Sequence, residues 1–164
     1  ICQIEQRALA AEGLVATVGE LAIATPASNV IPGTVTFSLD VRDANDSVRA
    51  AFCAELFRGM ETLLHTRGLG VRIEILLDSP ASACDPELTD ALAARVIRLQ
   101  GQCPRLVSGA GHDAVALAEA TAAAMLFVRC RDGLSHHPEE SAAPADIAAA
   151  TTVLAGFLAD LLAP

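Results

Sequence analysis

Residues Thr34 to Asp43 place the strongest constraint on what this chain can fold into. Val35, Phe37, Leu39 and Val41 alternate with Thr36, Ser38, Asp40 and Arg42. A period of two puts one set of side chains on a core and the other in water. Such a strand belongs to an antiparallel sheet with one solvated face. Upstream, Leu14 to Ile23 is β-branched and partly alternating, with Val15, Thr17 and Gly19 on one face and Val18 on the other. Gly19 is the expected place for a bulge. Pro32-Gly33 suits the two central positions of a type II turn, so the two strands are expected to form a hairpin.

Around this hairpin the sequence predicts a helix over residues 3–11, stopped by Gly13, and a second from Ser47 to Thr66 behind the capping run Asn45-Asp46-Ser47. Val71 to Leu77 alternates again and reads as a third strand. A helix, two strands, a helix and a strand make an α+β layer that lacks only one strand before residue 1 to complete a ferredoxin-like βαββαβ unit. The chain opens inside its first helix with no capping residue or turn ahead of it, so it is expected to be a piece of something longer.

Beyond Ser79-Pro80-Ala81-Ser82 the character changes, and a domain boundary is expected near residue 82, giving units 1–82 and 83–164. Asp85-Pro86-Glu87 is a helix start, with a capping Asp and Pro at the first helical position; that helix should reach Leu99 and end at Gly101. A short helix is expected from Ala114 to Glu119, a buried strand over 122–130 and an Ala-rich closing helix from Ala145-Asp146 to Leu162. The second half therefore reads as α/β around a parallel sheet whose partners the chain does not fully supply.

Composition excludes several classes of function. The formal charge is −9, and the eleven Lys and Arg are scattered, so there is no basic stripe for nucleic acid. No apolar run approaches the roughly 20 residues of a bilayer span, and Ile1-Cys2-Gln3 has no leader character, which points to a cytoplasmic protein without membrane partners. The five cysteines, Cys2, Cys53, Cys84, Cys103 and Cys130, are odd in number and lack CxxC spacing. They are expected to be reduced thiols, mostly buried.

The densest chemistry is Gly133-Leu134-Ser135-His136-His137-Pro138-Glu139-Glu140, expected at the carboxyl end of the 122–130 strand, where open α/β sheets place ligands. Imidazoles there serve as metal ligands or as groups that titrate near neutrality, although adjacent histidines in a Gly/Pro loop are often merely solvated. Ser108-Gly109-Ala110-Gly111-His112-Asp113 lacks the lysine of a phosphate loop and the GxGxxG spacing. Its glycines suit close backbone approach to a ligand, with His112 either at the ligand or held in the turn. Taken singly, Asn29 reads equally as a turn residue and Arg42 as a solvated strand charge. His65, near a helix end, is expected to be an ordinary exposed side chain.

Together, Asn29-Val30-Ile31-Pro32-Gly33, Asp40-Val41-Arg42, Ser108 to Ala114 and the histidine loop resemble the carboxyl-terminal part of the amidase and carbamoylase branch of the M20 metallopeptidase family. The resemblance implies an α+β lid, or dimerisation, domain followed by the end of a zinc-peptidase-like α/β catalytic domain. It implies hydrolysis of a linear C–N bond in a carbamoyl or ureido acid, such as an N-carbamoyl-L-amino acid or allantoate, by a homodimer paired through its lid. By the same resemblance Asn29 and Arg42 bind the substrate carboxylate, His112 binds or polarises the substrate, His136 is a metal ligand, His137 stands at a variable position and Glu140 orders the loop. The intact enzyme would hold two divalent ions (Zn, Mn, Co or Ni). The other ligands and the catalytic base would lie upstream, so these residues supply one ligand and no catalytic group. Two other readings stand beside it: a non-catalytic dimerisation or binding module, and an M20 aminopeptidase or deacylase.

Overall fold

The computed structural model describes residues 1–163 and divides into two compact units, Ile1–Ala81 and the chain from Ser82 onward. In the first, α1 (Cys2–Leu9) is followed by four short strands, β1 (Val15–Thr17), β2 (Leu21–Ile23), β3 (Val35–Phe37) and β4 (Asp40–Arg42), and then by the long helix α2 (Asp46–Thr66). The strands form one antiparallel hairpin in two ladders. β1 pairs with β4 through Val15↔Arg42, Ala16↔Val41 and Thr17↔Asp40, and β2 pairs with β3 through Leu21↔Phe37, Ala22↔Thr36 and Ile23↔Val35.

The two ladders are one residue out of step. Val18, Gly19 and Glu20 on the first arm face only Ser38 and Leu39 on the second, which is a bulge at the glycine where the sequence suggests one. Ser38 holds it: its backbone N–H donates to the Glu20 carbonyl at 3.1 Å, and its hydroxyl accepts from the Glu20 N–H at 2.9 Å. Because a one-residue slip exchanges the faces of a strand, the bulge sets Leu21 and Ile23 opposite Phe37 and Val35, while Val15 and Thr17 lie opposite Arg42 and Asp40. Accordingly Leu14 is buried and Ala16 and Val18 half-buried, whereas Val15 and Thr17 are exposed.

The connection from β2 to β3 departs from expectation. Gly33 does not adopt the positive φ that a type II turn requires of its third residue. Residues 24–34 instead form a longer loop, closed by the Ala24 N–H on the Thr34 carbonyl (3.1 Å), with Thr25 at φ 49° and a turn over Ala27–Val30. α2 begins where local chemistry dictates: the Asn45 carboxamide accepts from the Ser47 and Val48 N–H groups. It ends at Gly68, whose φ of +68° lets the Leu69 N–H return to the Leu64 carbonyl at 2.9 Å. The expected third strand over 71–77 is not formed. Its segment is held near α2 by Asp46, whose carboxylate accepts from the Ala81 N–H, and by Arg49, which bridges Asp46 and Asp78.

The second unit is built on α3 (Pro86–Gln100) and α5 (Pro144–Leu161), with the six-residue α4 (Asp113–Ala118) between them. Asp85 caps α3 through the Leu88 N–H (2.9 Å), and Gly101, at φ +82°, ends it. α5 starts on Pro144 with no side-chain cap, in place of the capping expected at Ala145-Asp146. Leu92 and Val96 of α3 meet Val153 and Phe157 of α5, with Leu88, Cys103, Ala124 and Leu126 packed around them. Each such buried side chain contributes about 1.5–3 kcal/mol. α5 is apolar and long enough to pass for a membrane span. Its Val153–Phe157 face lies on α3, and Asp146 and Asp160 near its ends pair with Arg129 and Arg95, while Ile147, Leu154, Leu158 and Leu161 stay exposed.

Two further expectations are corrected. The 122–130 run forms no strand, and Phe127 and Val128 remain 48% and 42% exposed; the Asp85 N–H donates to the Ala123 carbonyl at 2.7 Å, but no ladder extends from that bond, and a strand needs a neighbour's backbone along its length. No cysteine is buried: Cys2 and Cys84 are exposed and Cys53, Cys103 and Cys130 half-buried, all as free thiols. Partial burial pushes the Cys53 thiol up despite the nearby Arg49.

Candidate functional site

Arg42 ends β4 on the polar face, and its planar fork is engaged by a neighbour two residues back. Its Nε donates to Asp40 Oδ1 at 2.7 Å and its Nη2 to Oδ2 at 2.9 Å. The guanidinium holds the Asp40 carboxyl below the usual carboxylate range, partial burial opposing, and Asp40 raises Arg42 in return. Asn29 stands exposed in the turn of the 24–34 loop. The hairpin register leaves these two at different stations: Arg42 is opposite Val15, while the loop of Asn29 leaves the far end of the other ladder after Ile23↔Val35.

In the second unit His112 is the N-cap residue of α4, in an extended conformation (φ −131°). Its Nε2 lies 2.7 Å from the Ser108 hydroxyl, which also accepts from the Ala110 N–H, and its ring meets Phe127 edge-on at 6.2 Å. The imidazole is therefore oriented by a hydroxyl on one side and an aromatic edge on the other, while remaining exposed.

The histidine loop is a closed device. The Arg131 N–H donates to the Ser141 carbonyl at 2.8 Å across its base, and a short 3-10 turn, Arg131–Gly133, starts it. His136 takes the left-handed conformation, φ +58°, which costs a non-glycine residue on the order of 1–3 kcal/mol. Glu140 offsets that strain by accepting from the His136 N–H at 3.0 Å, and the Glu140 N–H in turn bonds the His137 carbonyl at 2.9 Å.

The two histidines differ in what they can offer. His137 Nδ1 accepts from the Glu139 N–H at 3.2 Å, so its neutral ring carries its proton on Nε2 and has no lone pair there. His136 Nδ1 lies 2.9 Å from the Ser135 hydroxyl, a contact in which either atom can donate; the tautomer that donates from Nδ1 is the one that leaves a lone pair on Nε2. The residues present thus fit one imidazole contributed to a metal. Among the described residues no group of three or more His, Cys, Asp and Glu stands ready to hold an ion.

Asp40, Ser108 and Ser135 carry roles that sequence reasoning did not assign. The signal for Asp40 was its i, i+2 spacing from Arg42 on one face of a strand; the two serines precede their histidines by four residues and by one. His65 is exposed in the last turn of α2, as expected. A shallow groove of about 520 Å³ between α1 and α2, lined by Gln3, Arg7, Glu55 and Arg58, contains none of these residues.

Residues 2–160 match the model of peptidase family M20/M25/M40. The chain is 43% identical to a probable allantoate deiminase of Oryza sativa subsp. japonica over 89% of its own length and 32% of the relative's. It is 40% identical to an N-carbamoyl-L-amino-acid amidohydrolase of Pseudomonas sp. (strain NS671) over 85% of its length and 34% of the relative's. A solved amidase of the hydantoinase/carbamoylase family from Burkholderia multivorans superposes with a TM-score of 0.87 at 34% identity, covering 96% of this chain and 39% of that one. The chain spans about a third of the length of the curated relatives it matches.

Proposed function

Because this chain belongs to peptidase family M20/M25/M40 over nearly its whole length, we propose that it is the carboxyl-terminal part of a metal-dependent amidohydrolase that cleaves a linear C–N bond in a carbamoyl or ureido acid. The observation that carries the reading is the likeness to an allantoate deiminase and an N-carbamoyl-L-amino-acid amidohydrolase, which runs through both units. Residues 1–82 are the lid, lacking its first strand, through which a homodimer forms; residues 83–164 close the catalytic domain of a cytoplasmic enzyme.

In this reading the polar face of the hairpin recognises the substrate. Arg42 offers a planar fork that matches a carboxylate, and Asn29 adds a carboxamide donor from the loop. His112, aligned by Ser108 and Phe127, bonds or polarises the group to be cleaved. His136 supplies Nε2 to the metal centre, held in its strained conformation by Glu140. His136 would hold one of two divalent ions, which when bound would supply Lewis-acid polarisation of the carbonyl and an activated water, with the remaining ligands and the general base contributed from outside these residues.

The direct test is to express the complete reading frame with manganese, zinc or cobalt and to measure ammonia release from allantoate and from N-carbamoyl amino acids. Metal-loaded protein that releases none from any ureido acid would overturn the proposal. Metal content gives a second readout: His136→Ala should lower it, whereas His137→Ala should leave it near the parent value. The 164-residue chain alone should bind zinc only weakly, because tight sites need three or four protein ligands. Nanomolar affinity in calorimetry, abolished by His136→Ala, would contradict the single-ligand assignment.

A further inference from the structure

This inference deepens the reading of Arg42 as the anchor of the substrate carboxylate and rests on it. We propose that Asp40 is a positioning residue that orients the Arg42 guanidinium for that carboxylate, through the two-bond pair the side chains make along one face of β4. Residues two apart on a strand leave the sheet on the same side, so the pairing follows from the register. Both carboxylate oxygens of Asp40 are spent on one edge of the guanidinium, Nε to Oδ1 at 2.7 Å and Nη2 to Oδ2 at 2.9 Å.

Two parallel bonds to a planar group fix its plane and its rotation, which one bond would not. Asp40 therefore removes rotamer freedom from Arg42 before substrate arrives, and ordering that need not occur on binding is retained as affinity. Stability is not what the pair serves: the side chains are 51% and 53% exposed, and ion pairs so solvated contribute little to folding.

The test uses the complete metal-loaded enzyme, an N-carbamoyl amino acid and its carboxamide analogue. Asp40→Asn keeps shape and removes charge; it should raise KM for the carboxylate substrate about tenfold, the size of one lost charge-assisted contact, with kcat within about twofold. The same substitution should leave the carboxamide analogue unaffected. On an Arg42→Lys background it should change KM by less than about twofold, because an ammonium has no plane to orient. Asp40→Glu, which retains charge on a longer stem, should fall between Asp40→Asn and the parent and guards against misfolding of the neutral variant.

An unchanged KM in Asp40→Asn beside a raised KM in Arg42→Lys overturns the role of Asp40 and leaves that of Arg42 standing. Equal losses on both substrates, or losses that add fully on the Arg42→Lys background, make Asp40 a structural charge. If Arg42→Lys itself leaves KM unchanged, both the anchor and its positioning residue are rejected.

Discussion

The two units hold their candidate site residues by different means. In the first, Arg42 sits on paired backbone: its face is set by the β1–β4 register, its station by the bulge at Gly19 and its orientation by Asp40. In the second, His112 and His136 sit on loops outside the α3–α5 core, and each is held by short-range bonds, Ser108 to His112, Ser135 and Glu140 to His136. A ladder places a side chain through many cooperative backbone bonds. A loop places it through a few bonds of its own, and so depends on strain and on individual partners, as the left-handed His136 illustrates. Under the proposed function, the hairpin would suit a residue that must meet a substrate carboxylate, and the loops would suit groups that share a metal centre with residues outside this chain.

Phe157→Ala removes the largest side chain of the α3–α5 core and should destabilise the second unit by about 3–5 kcal/mol. In hydrogen exchange of the complete protein, α3 and α5 should lose protection while the amides of β1 to β4 keep theirs. Equal loss in both units would mean that they do not hold their residues separately. Next in size, Arg42→Lys should weaken binding of a carboxylate substrate by about 1.5–3 kcal/mol, roughly ten- to a hundredfold in KM, with metal content and fold unchanged. The loss should vanish for the carboxamide analogue. An equal loss on both substrates would make the hairpin a scaffold and not a recognition surface.

Asp85→Ala deletes the cap of α3 and should cost about 1 kcal/mol, read as a small fall in the thermal midpoint of the second unit. The smallest effect concerns pH. Asp40 has a lowered pKa in the folded chain, so its contribution is present above the ordinary carboxylate value of about 3.9 and is lost as pH falls through the lowered value. NMR titration of the Asp40 carboxyl should show its midpoint below that of Asp40 in Arg42→Lys, in which the fork is gone. Coincident midpoints would contradict the two-bond pair.

Legibility followed the range of the interactions. α2 and α3 could be read nearly to the residue because their signals are local: Asn45 and Asp85 bond amides two or three positions ahead, and Gly68 and Gly101 supply the positive φ that ends each helix. The bulge was legible at Gly19, yet its consequence was not. Simple alternation groups Val15, Thr17 and Gly19 and carries that face on to Leu21, while the paired backbone sets Val15 and Thr17 opposite Arg42 and Asp40 and Leu21 opposite Phe37. Of the site, the residue types and their order were visible; which group meets each imidazole was not, because those contacts depend on how the loop turns.

The amino-acid order thus dictated the helices, their caps, the alternating faces of Thr34 to Asp43 and the family motifs, all of which rest on contacts within a few residues or on side-chain chemistry. Pairing lay beyond its reach. Val71–Leu77 and the 122–130 run carry strand-like patterns as clear as some that did pair, yet they form no ladder, while Val15–Thr17 pairs with Asp40–Arg42 more than twenty residues away. A strand's hydrogen bonds point sideways to another segment of backbone, so its existence is decided by which neighbour is present, and no property of the strand's own residues can supply that neighbour.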